Sequence, residues 1–217
     1  PGKCYTSPEN YRWVQASLDL LQAFAHQGGG RVAMAGTCAE YDWKYGYCSE
    51  QTTPLSPVTV YGACKHALQV MFEAFTGQTG LSGAWGRIFF LYGPYEHPAR
   101  LVSSVTRAIL RGEPARCSHG NQIRDYLHVQ DVADAFVALL ESDVVGPVNI
   151  GSGRPVVLKD IIYGIADKLS RRDLVRLGAV PTSVNEPPVI IADTGRLFGE
   201  VGWRPKYDLD AGLEQTV

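Results

Sequence analysis

Two short apolar runs, RVAMAG at 31–36 and GAWGRIFFLYG at 83–93, bracket one amphipathic stretch, and this arrangement narrows the available folds more than any other feature. A short apolar run bounded by polar residues suits a parallel strand buried on both faces. Between the runs, Tyr61, Cys64, Leu68, Met71 or Phe72, and Phe75 recur at helical spacing as far as Gly77, and Ser56 with Pro57 offers a helix start. Strand, helix and strand in that order predict a right-handed parallel crossover. The first strand leaves into a polar loop, TCAEYDWKYGYCSEQTTPLSP, which places a functional edge at its end.

The flanks extend the alternation. Ser7, Pro8 and Glu9 supply an N-cap, a proline at the first helical position and an acid in the first turn. Val14, Leu18, Leu21 and Ala25 then form a helical stripe that GGG at 28–30 stops. Beyond Pro94 the pattern predicts a helix near 100–111 and a hairpin around CSHGNQIRDYLHV. Val129, Val132, Ala133, Phe136, Leu139 and Leu140 mark an amphipathic helix, and GPVNIGSG a strand running into a glycine turn. A helix from about 158 to 169, a short strand in PVIIAD and a last helix opening near Thr194 complete the chain. The class is therefore α/β, a doubly wound parallel sheet with a smaller mixed appendage toward the C-terminus.

Composition excludes several functions. The 217 residues carry 20 basic and 22 acidic side chains mixed along the chain, so no polyanion-binding surface and no nucleic-acid partner is expected. Hydrophobic residues make up 45%, yet no apolar run nears the roughly 18 residues of a membrane helix, so no membrane span is expected. Five cysteines without C-x-x-C pairs, and five scattered histidines, predict reduced cytosolic thiols and no metal site. No G-x-G-x-x-G stands between a strand and a helix. GGGRV precedes a strand and reads as a helix stop, while GSGRP at 151–155 reads as a plain turn. The opening PGKCYTSPEN has neither an initiator methionine nor a signal-peptide pattern, which suggests a chain beginning in mid-protein.

Tyr61 and Lys65 stand four positions apart on the central helix and project from the same face. On spacing alone, a half-buried tyrosine beside a snorkelling lysine is the better reading. A catalytic reading has demanding chemistry. A phenol titrates near pH 10, so acid–base work near neutrality needs a downshift of roughly three pH units, about 4 kcal/mol. Burial opposes that shift, and only close positive charge reverses it. Lys65 can supply one charge and an oxidised nicotinamide ring a second. Thr37, at the exit of the first strand, is placed to donate a hydrogen bond to the reacting oxygen.

Further segments stand in order along the chain: GTCAEY with Thr37, SPVTVYGACK with Tyr61 and Lys65, GRIFFLYGP, QIRDYLHVQDVADAF, VNIGSG, and ADTGRLFGEVGWRPKYDLDAGL. Together they resemble the extended short-chain dehydrogenase/reductase family, within it the NAD-dependent nucleotide-sugar epimerases, dehydratases and reductases. The resemblance covers the whole chain. It implies a Rossmann-like doubly wound sheet in which 1–95 is the C-terminal portion of the NAD-binding domain. The remainder, 96–217, is then the substrate-binding domain, with about 124–150 packing back on the Rossmann sheet. It further implies NAD or NADP as cofactor, a nucleotide-diphosphate sugar as substrate, a cytoplasmic location, and a homodimer through the helices at 8–27 and 60–76.

Residue by residue, the resemblance implies that Tyr61 exchanges the proton of a sugar hydroxyl. Lys65 lowers its pKa and holds the nicotinamide ribose, Thr37 hydrogen-bonds the reacting oxygen, and Phe89 lies against the cofactor. Arg124 is the fork aimed at the substrate diphosphate, preferred to a surface salt bridge with Asp125. Asn185 and Glu186, in NEPP, fall where sugar-diphosphate contacts occur, although the usual arginine of that loop is not evident.

The sequence also departs from the family. Dehydratases carry Asp and Glu directly after the catalytic Thr, whereas Cys38 and Ala39 stand here. The reading is an epimerase working through a transient 4-keto sugar, with a 4-keto-6-deoxy-sugar reductase or an inactive fragment or binding module as alternatives. Phe90 replaces an Asn that touches substrate in many epimerases, so the sugar is open. Cys64 reads as a packed residue, and His66 with Asp131 lacks the elbow motif of a hydrolase triad. On the order of 80 residues of the family pattern, including the pyrophosphate loop, are expected upstream of Pro1, which predicts an exposed sheet edge.

Overall fold

The computed structural model describes residues 2–182 and 186–217. A short helix, α1 (Gly2–Thr6), that no periodicity announces, precedes the expected α2 (Glu9–His26). The Ser7 hydroxyl accepts the Glu9 N–H at 3.2 Å, and Glu9 complements the helix start. Leu21 is buried on the inner side of α2, while Tyr11, Trp13 and Leu20 are 60, 70 and 71% exposed.

β1 (Arg31–Thr37) ends in a 3-10 turn over Cys38–Glu40 and is followed by β2 (Tyr47–Cys48). Contrary to expectation, β1 is only half buried up to Met34, because it lies at the edge of its sheet. α3 (Val60–Thr79) begins later than Ser56 and Pro57 suggested. Thr59 is the N-cap instead, its Oγ1 accepting the Gly62 N–H at 3.0 Å. The helix also runs past Gly77, stopping at Gly80, whose φ of 74° gives a left-handed cap.

The run at 83–93 forms two strands, not one: β3 (Ser82–Ile88) and β4 (Phe90–Tyr92). Between them, the Phe89 N–H donates to the Ile150 carbonyl at 3.0 Å, and the chain there leaves one sheet for another. α4 (Leu101–Leu110), β5 (Ala115–Arg116), β6 (Ile123–His128), α5 (Val129–Glu141) and β7 (Gly146–Ile150) follow. Then come β8 (Pro155–Val157), α6 (Leu158–Lys168), β9 (Val175–Arg176), β10 (Val189–Ala192), α7 (Gly195–Gly199) and α8 (Leu209–Thr216). The hairpin expected around 117–129 does not form. Its polar half is pinned to a distant segment instead, by Leu158 N–H to Gln122 at 3.0 Å and Lys159 N–H to Gly120 at 2.9 Å. β6 pairs with β4 and β10 in parallel and with β8 antiparallel. α8 also escaped the sequence pattern; Asp208 caps it by accepting the Ala211 N–H at 2.8 Å.

Three sheets form among the described residues, all mainly parallel. The first has the order β1-β3-β7, the second runs β2-β10-β6-β4 with β8 attached to β6, and the third is the pair β5-β9. The first is covered on both sides, as a doubly wound sheet requires. Leu21, Leu68, Phe72 and Trp85 form one core cluster with α2 and α3. Ala84, Ala135, Leu139 and Val148 belong to another, with α5. Ile161, Ile162 and Ile165 of α6 anchor a further core with Val102, Val105 and Ile109 of α4. Thr37 and Ile88 are register partners at the carboxyl ends of β1 and β3. In open α/β sheets that end, near a switch in strand order, is where ligands bind. Among the described residues no helix is long and apolar enough to cross a membrane.

Candidate active site

β1 delivers Thr37 in an extended conformation, and the chain turns at once into the Cys38–Glu40 turn. The Thr37 Oγ1 accepts the Ala39 N–H at 3.3 Å and its own N–H donates to Glu40 Oε1 at 2.8 Å, a reciprocal capping box. α3 meets this turn with its first residues. Gly62 makes the approach possible, since a side chain there would collide with the Ala39 carbonyl. Tyr61, one residue earlier, consequently stands beside Thr37, and both side chains face the same cleft. Lys65, one turn on, donates from Nζ to the Ala35 carbonyl at 2.9 Å. These three side chains, with Phe89 and Tyr5, line a cleft of about 530 Å³. Tyr5 stands edge-on to Tyr61, with ring centroids 6.0 Å apart.

The electrostatics differ from the expectation. Burial pushes the Tyr61 phenol above its ordinary pKa of 10.0; the nearby Thr37 side chain pulls it down, while Cys38, Tyr5 and Glu40 push it up. Burial lowers Lys65 below its ordinary 10.5, and Glu40 opposes that. The downward pull on the phenol thus comes from Thr37, with the Lys65 ammonium engaged on the Ala35 carbonyl. A protonated phenol in this setting is a proton donor. To become an acceptor it needs further positive charge beside it.

Phe89 is 5% exposed, packs against Tyr41 at 6.4 Å between centroids, and lines the cleft. Arg124 is also buried, but it pairs with Glu186 at 3.1 Å and lies over the Phe90 ring at 5.4 Å. Phe90, not Arg124, reaches the cleft wall. Asp125 does not pair with Arg124. Its carboxylate accepts the N–H groups of Ser152, Gly153 and Ala192 and the Ser152 hydroxyl, so the GSG turn is tied to an acid of the protein itself. Asn185 lies outside the described residues. His66 bonds Gln69, and Asp131 accepts the N–H groups of Lys206 and Tyr207, which leaves no triad between them.

Sequence reasoning missed Glu40. Its carboxylate is fully buried and accepts from Thr37 N–H, Trp85 Nε1 and Arg87 Nε. The T-x-x-E spacing of a capping box was the signal for it. For Tyr5 no sequence signal exists.

The pair on α3 fits the nicotinamide-ribose end of a dinucleotide: a phenol and an ammonium one turn apart, facing a cleft at the carboxyl ends of parallel strands. The glycine-rich pyrophosphate turn is not within this sequence.

The chain is 25% identical over 227 residues to UDP-glucose 4-epimerase of Corynebacterium glutamicum, covering 95% of this chain and 68% of that protein. It is 30% identical to dTDP-glucose 4,6-dehydratase of Xanthomonas campestris pv. campestris, over 77% of this chain and 50% of the dehydratase. The structure of MoeE5 in complex with UDP-glucuronic acid and NAD matches with a TM-score of 0.80 at 30% identity, covering 91% of this chain and 67% of that one. The chain spans about half the length of several curated relatives, the dehydratase among them. The sequence profile described as the NAD dependent epimerase/dehydratase family matches residues 2–151, and on that match the chain belongs to this family of extended short-chain dehydrogenase/reductase proteins, which are NAD-dependent nucleotide-sugar enzymes.

Proposed function

We propose that this chain carries the acid–base centre of a nucleotide-sugar 4-epimerase, with Tyr61 as the proton carrier. The observation that supports it most is the convergence of Tyr61, Thr37 and Lys65 on one cleft at the carboxyl end of β1. NAD, when bound, supplies the oxidant that accepts and returns the hydrogen at C4 of the sugar. Tyr61 takes the proton of the 4-hydroxyl as the keto form appears, and gives it back to the same oxygen when the opposite face is reduced. Thr37 shares a hydrogen bond with that oxygen. Lys65 holds the ribose hydroxyls and adds positive charge beside the phenol, and the oxidised nicotinamide ring, when bound, would supply the further charge that a phenolate requires. Cys38 and Ala39 offer no carboxylate beside Thr37, so elimination of water from the ring has no acid–base partner.

The sugar diphosphate reaches Arg124, whose fork suits phosphate oxygens and which is paired with Glu186; Asn185 is kept as a further contact on the sequence resemblance alone. Residues 1–95 form the cofactor side and 96–217 the substrate side, with about 124–150 returning to the cofactor-side sheet. Pairing of β7 with β3 supports that return. Tyr11, Trp13 and Leu20, exposed on α2, with Val70 and Met71 exposed on α3, support a homodimer. The protein works in the cytoplasm, with its thiols reduced.

The test supplies the full-length protein with NAD and a panel of UDP- and dTDP-hexoses and follows the C4 protons by NMR. Epimer interconversion without net change in cofactor is the expected result. Consumption of reduced cofactor in proportion to product would instead identify a 4-keto-sugar reductase. Cofactor binding without turnover of any sugar would contradict the enzymatic reading.

A further inference from the structure

We propose that Glu40 is the positioning residue of this centre, fixing the Thr37 hydroxyl and the Lys65 ammonium on one edge of β1; the role rests on the acid–base reading of Tyr61. Three consecutive residues are clamped from two sides. Lys65 Nζ holds the Ala35 carbonyl at 2.9 Å, and Glu40 Oε1 holds the Thr37 N–H at 2.8 Å. Gly36 lies between, and a side chain there would stand 2.7 Å from Glu40 Oε1, so the carboxylate packs directly against the β1 backbone. The strand register sets Gly36 opposite Arg87, whose Nε donates to Glu40 Oε2 at 2.7 Å. Trp85 Nε1 completes the shell at 3.1 and 3.2 Å from the two carboxylate oxygens.

A purely structural cap would need only an acceptor for the Thr37 N–H. A carboxylate also brings charge, which no amide supplies. The titratable and charged groups around the pair are Tyr61 and His66 on α3, Cys4 and Tyr5 on α1, Cys38 and Glu40 on the turn after β1, Arg87 on β3, and, along the same cleft, Tyr92, Tyr95, Glu96, His97 and Arg100. Burial draws Lys65 toward its neutral form, and Glu40 is the charge that counters it. The same residue therefore holds the strand exit and favours the ammonium.

The test labels the lysines with 13C and titrates Lys65, assigned through Lys65→Arg, by its Cε shift. Glu40→Gln is expected to move the Lys65 titration to lower pH, while Glu40→Asp, which keeps the charge, returns it toward wild type. Because Glu40→Gln leaves the buried Arg87 without its counter-charge, Glu40→Gln combined with Arg87→Met provides a folded alternative with the same expected direction. A Lys65 titration unchanged in a folded variant lacking the carboxylate overturns the proposal. The readout requires no turnover, so a failed search for the sugar substrate leaves this result standing by itself.

Discussion

Two arginine–carboxylate pairs stand behind residues that line this cleft, one behind Thr37 and one behind Phe90, and they are built for different work. Arg87 and Glu40 are sealed, with side chains 1 and 0% exposed, and the guanidinium spends each arm on a separate partner: Glu40, Tyr41 and Gln69. Arg124 is equally hidden at 4%, but its partner Glu186 remains 31% exposed. Burial works against the charge of both arginines. At Arg87 the neighbours Tyr41 and Glu40 overcome it and raise the pKa, whereas at Arg124 burial wins over Glu186 and lowers it. The first guanidinium is saturated by its own protein. The second bonds the Ile123 and Pro188 carbonyls and a single carboxylate that already meets water, the arrangement expected if, as proposed, a ligand phosphate replaces that acid.

Breaking the sealed pair has the largest expected effect. Arg87→Met leaves the Glu40 carboxylate buried and unpaired and should destabilise the fold by about 3–5 kcal/mol in chemical denaturation. Removing both charges at once should cost far less, since replacing a whole buried pair is often neutral. Arg124→Met is the counterpart. Stability should hold within about 1 kcal/mol, while the affinity of the full-length protein for a nucleotide-diphosphate sugar, read by calorimetry, falls by about 2–5 kcal/mol. An Arg124→Met variant destabilised by about 3–5 kcal/mol, as Arg87→Met is expected to be, with its ligand affinity retained in the folded state would erase the distinction between the pairs. Glu186→Gln should be milder still, within about 1 kcal/mol of wild-type stability, because its side chain already meets water.

The smallest effect concerns Lys65, where the charge of the sealed pair reaches the cleft. Its folded-state pKa lies below the ordinary 10.5, so between those two values the unfolded chain binds the proton more readily. Wild-type stability should therefore rise relative to Lys65→Met as pH climbs through that window, with no change in the difference below it. Urea titrations across alkaline pH read this directly, and a difference that falls with pH would reverse the sign assigned to the burial of Lys65.

What the sequence revealed follows the range of each interaction. Tyr61 and Lys65 were legible because i, i+4 spacing on one helix face is local, and Thr37 because it ends an apolar strand run. The Glu40–Arg87 pair was not, since it depends on which residue of β3 stands opposite Gly36, and register is a property of two strands together. The same limit hid the break at Phe89. Its apolar run continues without a polar signal, yet β3 and β4 belong to different sheets. The missed hairpin is the converse case: turn-forming residues at 118–122 satisfy their backbone on residues 158 and 159, beyond any local window. Short helices such as α1 and α8 carry too few turns for periodicity to mark them.

The account stands on a single proton-carrying phenol, and replacing Tyr61 by Phe in the full-length protein probes it most directly. The variant should keep its circular dichroism spectrum and bind NAD, while sugar interconversion falls by about 10²–10⁴-fold, the usual worth of a placed acid–base group. Turnover within a few-fold of wild type would contradict it.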